Sequence, residues 1–259
     1  MITAGVDIGS LTAKALILND NEILSYSLIQ TGADSVETAR SAMGVALRNA
    51  GMLLSDVEFI VSTGYGRALV PFAHKNITEI SCHAKGAYWF FPTARTILDM
   101  GGQDCKAIRC NQKGQVTNFV MNDKCAAGTG RFMELMARTL ELPLDDIGKL
   151  SLQIVKGPSS ISSVCTVFAK SEVLVLLRRG EHKNDILAGL CEALASRVFN
   201  LMSSVGIEAE FVMTGGIAKN IGMVRRLEER AQLKANIPFE PQIVGALGAA
   251  LFAKEFLQR

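Results

Sequence analysis

Almost no net charge is left over in this 259-residue sequence, where 27 basic side chains stand against 25 acidic ones for a formal charge of +2. That balance supplies no basic surface for nucleic acid or for an anionic membrane. Long hydrophobic runs are also missing. The most apolar late stretch, residues 243–253, is well short of the ~20 residues of a membrane span and reads as a buried helix of small residues. No basic segment followed by an apolar core opens the chain, which runs from Met1 directly into strand-like residues; the expected compartment is the cytoplasm. In such a reducing compartment the six cysteines, Cys82, Cys105, Cys110, Cys125, Cys165 and Cys191, are core residues, nucleophiles or metal ligands rather than disulfides. Nor is there a tract of low hydrophobicity and high charge: hydrophobic residues make up 49% and charged ones 20%. A chain of this size and composition buries a large core without a disulfide or metal staple.

What the sequence does contain is a duplication. Val6-Asp7-Ile8-Gly9-Ser10-Leu11-Thr12-Ala13-Lys14-Ala15 aligns with Leu98-Asp99-Met100-Gly101-Gly102-Gln103-Asp104-Cys105-Lys106-Ala107, and Asp, Gly, Lys and Ala recur at a single offset of 92. Each copy reads as an apolar strand, a glycine bend, a second strand and a polar turn leading to a third strand. One copy alone would be an ordinary turn. Two in register predict two similar α/β halves facing one another.

Glycine at the bends lets backbone N–H groups approach a phosphate, while Ser10, Thr12 and Lys14 offer donors and a positive charge. Asp7 and Asp99, at strand ends beside the bends, would repel phosphate unless a hard cation lay between, so they are expected to hold Mg²⁺, often through water. A third bend, Thr214-Gly215-Gly216 with Ile217-Ala218 after it, follows an apolar strand and presents backbone to a purine or ribose. The expected nucleotide contacts are Asp7, Gly9, Ser10, Leu11, Thr12, Ala13, Lys14, Asp99, Gly101, Gly102, Gln103, Gly215, Gly216, Ala218 and Gln242. Gln103 and Asp104 are candidates to orient the attacking water.

These motifs follow the order seen in the actin, hexokinase and heat-shock chaperone superfamily. Five segments bring the chain closer to one branch: Ser62-Thr63-Gly64-Tyr65-Gly66-Arg67, Ile80-Ser81-Cys82-His83-Ala84, Asp99-Met100-Gly101-Gly102-Gln103-Asp104, Asn122-Asp123-Lys124-Cys125-Ala126-Ala127-Gly128-Thr129-Gly130-Arg131-Phe132 and Cys165-Thr166-Val167-Phe168-Ala169. The chain resembles the ATP-dependent activators of 2-hydroxyacyl-CoA dehydratases and the benzoyl-CoA reductase-type ATPases. The resemblance implies an α/β fold of duplicated actin-like (ribonuclease H-like) halves around a nucleotide cleft that takes ATP or ADP with Mg²⁺. It also implies a homodimer bridged by one 4Fe-4S cluster, an upstream electron donor such as ferredoxin or flavodoxin, and an iron-sulfur dehydratase or reductase that receives single electrons.

Cys125 and Cys165 match the cluster segments of that family. A cubane needs four thiolates, and a two-fold dimer doubles two to four. Each cysteine is expected to precede a helix, whose N-terminus favours a thiolate. The other four read as small core or edge residues. Residues 1–93 are expected to form one half and 94–259 the other, with a C-terminal helix over about 244–257 crossing back onto the first. The competing readings on the same scaffold are a small-molecule kinase and an ATPase or scaffold without redox chemistry.

Overall fold

The computed structural model describes residues 1–122, 129–162 and 165–258. Its strands are β1 (Ile2–Ile8), β2 (Thr12–Asn19), β3 (Glu22–Gln30), β4 (Phe59–Thr63), β5 (Lys75–Asn76), β6 (Thr96–Met100), β7 (Cys105–Cys110), β8 (Val116–Asn122), β9 (Phe211–Thr214) and β10 (Ala235–Asn236). The helices are α1 (Ser35–Ala50), α2 (Glu79–Phe90), α3 (Gly130–Leu140), α4 (Ile147–Leu150), α5 (Thr166–Arg178), α6 (Lys183–Val205), α7 (Ile221–Ala231) and α8 (Val244–Leu257).

Two five-stranded sheets repeat one topology. The first has the order β3-β2-β1-β4-β5 and the second β8-β7-β6-β9-β10. In both, the two hairpin strands run antiparallel and the two that follow add in parallel. The duplication in the sequence is thus a duplication of sheets, and its Asp and Lys become cross-strand partners: Asp7 faces Lys14, and Asp99 faces Lys106.

Strand alternation assigns the faces. Ala13, Ala15 and Ile17 join Ala4, Val6 and Ile8 in a core closed by Ala39, Ala42 and Met43 of α1. Leu16 and Leu18 face the other way, onto Ala246, Leu247 and Ala250 of α8. Small residues let α8 lie flat on the sheet, since a β-carbon on Gly5 would overlap the carbonyl of Ala246. On the second sheet, Leu98, Met100, Ala107 and Met213 pack with α3, α6 and α7. Its opposite face, Ile97, Ile108 and Val212, meets Ile80, Ala84 and Ala87 of α2. Helices α2 and α8 touch each other and so form a shared layer between the sheets. Of the described helices, α6 is long and apolar enough to cross a membrane; Ile186, Leu190, Leu194 and Val198 are instead buried in the second core.

Candidate functional site

The two hairpin bends close in the same way. The Gly9 N–H donates to the Thr12 carbonyl at 3.1 Å, and the Gly101 N–H to the Asp104 carbonyl at 3.0 Å. The bends also meet: a β-carbon on Gly102 would lie 2.6 Å from Leu11 Cγ, so only glycine allows this approach without a shift. The third bend is held against the second. Gly215 has φ +82°, a left-handed conformation that favours glycine. A β-carbon there would run into the Met100 carbonyl.

Between the halves lies a cleft of roughly 550 Å³. From the first hairpin Asp7, Gly9, Leu11, Thr12 and Lys14 line it, from the second Asp99, Gly101, Gly102 and Asp104, and from the third bend Gly215, Gly216 and, further on, Gln242. Four expected residues stand elsewhere. Ala13 points into the α1 core because it alternates with Thr12 and Lys14. Ala218 is buried in the second core. Ser10 is not among the lining residues, and Gln103 is exposed at the tip of its bend and does not line the cleft either.

The charged groups beneath the bends are tightly arranged. Lys14 Nζ lies 3.2 Å from Asp7 Oδ2. Lys106, 2% exposed, is surrounded by three carboxylates: Asp104 at 2.7 Å, Asp99 at 3.3 Å and Glu79 at 3.5 Å. Burial opposes its charge, but these three carboxylates raise its pKa well above the usual lysine range. Asp99 Oδ1 accepts from the Thr214 hydroxyl at 2.8 Å and lies 3.3 Å from His83 Nδ1, while Oδ2 faces Lys106. Burial alone would raise this carboxyl, yet His83, Lys106, the Thr214 hydroxyl and Lys14 bring it down to about 2. Asp99 is thus engaged from three sides, by Thr214, His83 and Lys106. Among the described residues no group of three or more His, Cys, Asp or Glu side chains is placed to hold a metal ion.

Sequence reasoning missed Tyr65, Glu79, His83, Lys106, Lys149 and Asn220 on the cleft wall. Lys106 was visible as the repeat partner of Lys14. His83 stood in a quoted segment without a role. Nothing in the pattern around Glu79 marks it, because it reaches the site through the path of α2.

Of the described cysteines, Cys82, Cys105, Cys110 and Cys191 are buried and Cys165 is exposed. Burial pushes the thiols of Cys82 to about 12 and Cys110 to about 11 and raises Cys105 and Cys191 as well, which disfavours the thiolate a metal requires. Cys165 is the N-cap residue of α5, as expected, with Val167 and Phe168 exposed beside it. Cys125 lies outside the described residues, and the helix expected from residue 126 begins at Gly130. Both flanks of its segment are bonded to the second hairpin. Asn122 pairs with Cys105 across β7 and β8. On the other side the Gly130 and Arg131 amides donate to the Gly101 and Gly102 carbonyls, each at 2.9 Å.

A duplicated sheet pair with phosphate-type glycine bends on both sides of a cleft defines an actin-like, two-lobed nucleotide-binding protein. Residues 4–253 match the model of the BadF/BadG/BcrA/BcrD ATPase family, and the chain belongs to that family. It is 47% identical over 260 residues to the activator of lactoyl-CoA dehydratase of Anaerotignum propionicum, covering 100% of both chains. It is similar to the crystal structure of the Acidaminococcus fermentans (R)-2-hydroxyglutaryl-CoA dehydratase component A, with TM-score 0.95 and 43% identity over 100% of each chain. The Clostridium difficile 2-hydroxyisocaproyl-CoA dehydratase activator, solved with bound ADPNP, superposes at TM-score 0.94 with 39% identity, covering 100% of this chain and 96% of that one. A ROK family glucokinase from Streptomyces griseus shares the fold alone, at 16% identity and TM-score 0.59 over 98% and 100%.

Proposed function

We propose that this chain is an ATP-hydrolysing activator that delivers single electrons to a partner 2-hydroxyacyl-CoA dehydratase or related reductase in the cytoplasm. ATP or ADP would occupy the cleft, its phosphates against the Gly9 and Gly101-Gly102 bends and its base toward Gly215 and Gly216. Mg²⁺ would enter on the phosphates, with Asp7 reaching it through water. Asp104 and Gln103 would orient the attacking water, Gln103 by turning its amide inward.

The position of Cys165 supports a shared 4Fe-4S cluster. Cys165 offers an exposed sulfur at a helix N-terminus, where free N–H groups and the helix dipole favour a thiolate, and the four buried thiols do not compete. Cys125 and Cys165 of two copies would hold one cluster per homodimer, and the cluster, when bound, supplies one-electron transfer at low potential. A ferredoxin- or flavodoxin-type donor would refill it.

The observation that carries this reading is the pair of hydrogen bonds from Gly130 and Arg131 to Gly101 and Gly102. Nucleotide that shifts the second bend would also shift the start of α3, the helix that follows Cys125 in the sequence. A ligand drives such a change only by its different affinity for the two arrangements. The test is iron analysis on anaerobically purified protein. About four irons per dimer, lost in Cys165→Ser while nucleotide binding persists, is the expected result. Iron-free wild-type protein that phosphorylates a small molecule would overturn the reading in favour of a kinase.

A further inference from the structure

His83 stands one turn into α2, lines the cleft and is 6% exposed. Its Nδ1 lies 3.3 Å from both Asp99 Oδ1 and the Thr214 hydroxyl oxygen. The hydroxyl proton of Thr214 is committed to Asp99 Oδ1 at 2.8 Å, and an ionised carboxylate only accepts, so the hydrogen of this contact sits on Nδ1. Asp99 and Thr214 thereby fix both the ring and its tautomer, which leaves Nε2 a bare acceptor in the neutral ring.

That second nitrogen faces the other copy of the repeat. A β-carbon on Gly245, at the start of α8, would lie 3.0 Å from His83 Nε2 and 3.1 Å from Asp7 Oδ2, so the two atoms converge on one point. Among the described residues Nε2 has no hydrogen-bond partner, and Asp7 Oδ2 has Lys14 at 3.2 Å. Two acceptors that converge in this way are satisfied by a donor between them, and water carries two hydrogens. A water that gives one to Nε2 and the other to Oδ2 turns its lone pairs away from both, the orientation that a hard cation binds.

We propose that His83 is a positioning residue for the metal side of the nucleotide site: with its Nδ1–H held by Asp99, its Nε2 and Asp7 Oδ2 together orient one water as a ligand for Mg²⁺. The arrangement rests on the reading above, in which Asp7 reaches Mg²⁺ through water. One ring from α2 then links the two repeated aspartates, Asp99 directly and Asp7 across the water.

The experiment measures the affinity of wild-type protein and His83→Asn for a non-hydrolysable ATP analogue by calorimetry, once with Mg²⁺ and once with a chelator. The asparagine amide keeps an N–H for Asp99 and lacks the second nitrogen. Groups that orient metal ligands are typically worth 10–100-fold in metal affinity, so the affinity gained from Mg²⁺ falls at least about tenfold in His83→Asn while affinity under chelator is unchanged. A purely structural role would lower both affinities together. A gain reduced by less than about tenfold, or an equal fall with and without Mg²⁺, overturns the proposal. Should His83→Asn fail to fold, nitrogen NMR of histidine-labelled wild-type protein decides: a neutral His83 ring protonated at Nδ1 supports the arrangement, and a ring protonated at Nε2 at neutral pH overturns it. Wild-type affinity indifferent to Mg²⁺ would instead bring down the reading of Asp7 itself.

Discussion

Leu11 of the first phosphate bend leans on Gly102 of the second, so the two bends meet through one leucine side chain and one missing β-carbon. Replacing Gly102 by Val puts a branched side chain where Leu11 now sits and forces the bends apart. Displacements of about 1 Å at a reacting site cost on the order of 100-fold in rate. We expect Gly102→Val to keep its thermal unfolding temperature and lose about that much ATP turnover; wild-type turnover in the folded variant would show that the bends do not act together.

Lys106 is the counter-charge for a buried carboxylate group. Lys106→Met takes from Asp99, Asp104 and Glu79 the lysine they share, and breaking a buried pair in this way costs about 3–5 kcal/mol. Urea unfolding at neutral pH measures this directly. An unchanged midpoint would mean that the network contributes nothing to stability.

The lowered pKa of Asp99 gives a signed pH dependence. Its folded value, about 2, lies below the unfolded value near 3.8, so the unfolded chain takes up the proton first as pH falls. Stability from this group is complete above about pH 4 and is lost as pH drops toward 2. Thr214→Val removes the hydroxyl donor to Asp99 Oδ1 and shrinks the drop. Denaturant titrations of both proteins across that window make the comparison, and identical slopes would contradict the assignment.

Among the described thiols only Cys165 is open to solvent. In protein freed of iron, a brief pulse of maleimide should label Cys165 and leave Cys82, Cys105, Cys110 and Cys191 unmodified until denaturant is added. Peptide mass spectrometry reads the sites. Early labelling of Cys82 would contradict the packing of α2 against α8.

Much of this arrangement was legible because it repeats. The offset of 92 between the Asp-Gly bends translates directly into two sheets of the same order, and the apolar run from Val244 to Leu257 is a helix with those bounds. Contacts that depend on where one element lies against another were not legible. Ala13 was grouped with Thr12 and Lys14 by proximity in sequence, yet the two-residue period of β2 sends it to α1. Glu79 has no local signal, since only the course of α2 between the sheets brings it 3.5 Å from Lys106. Asp99 shows in sequence only its place beside a bend, while the Thr214 hydroxyl and the His83 ring come to it from two other segments.

The position of α8 carries a consequence for how the chain is made. The face of the first sheet that includes Leu16 and Leu18 is covered by the last helix of the sequence, and a β-carbon on Gly248 would collide with the Cys82 carbonyl of α2. Strands β1 and β2 are therefore made long before the helix that closes their second face. A nascent chain halted before residue 244 exposes that apolar face and is a chaperone client rather than an independently folded lobe, and protease digestion of stalled chains of increasing length should show protection of β1 only after α8 has emerged.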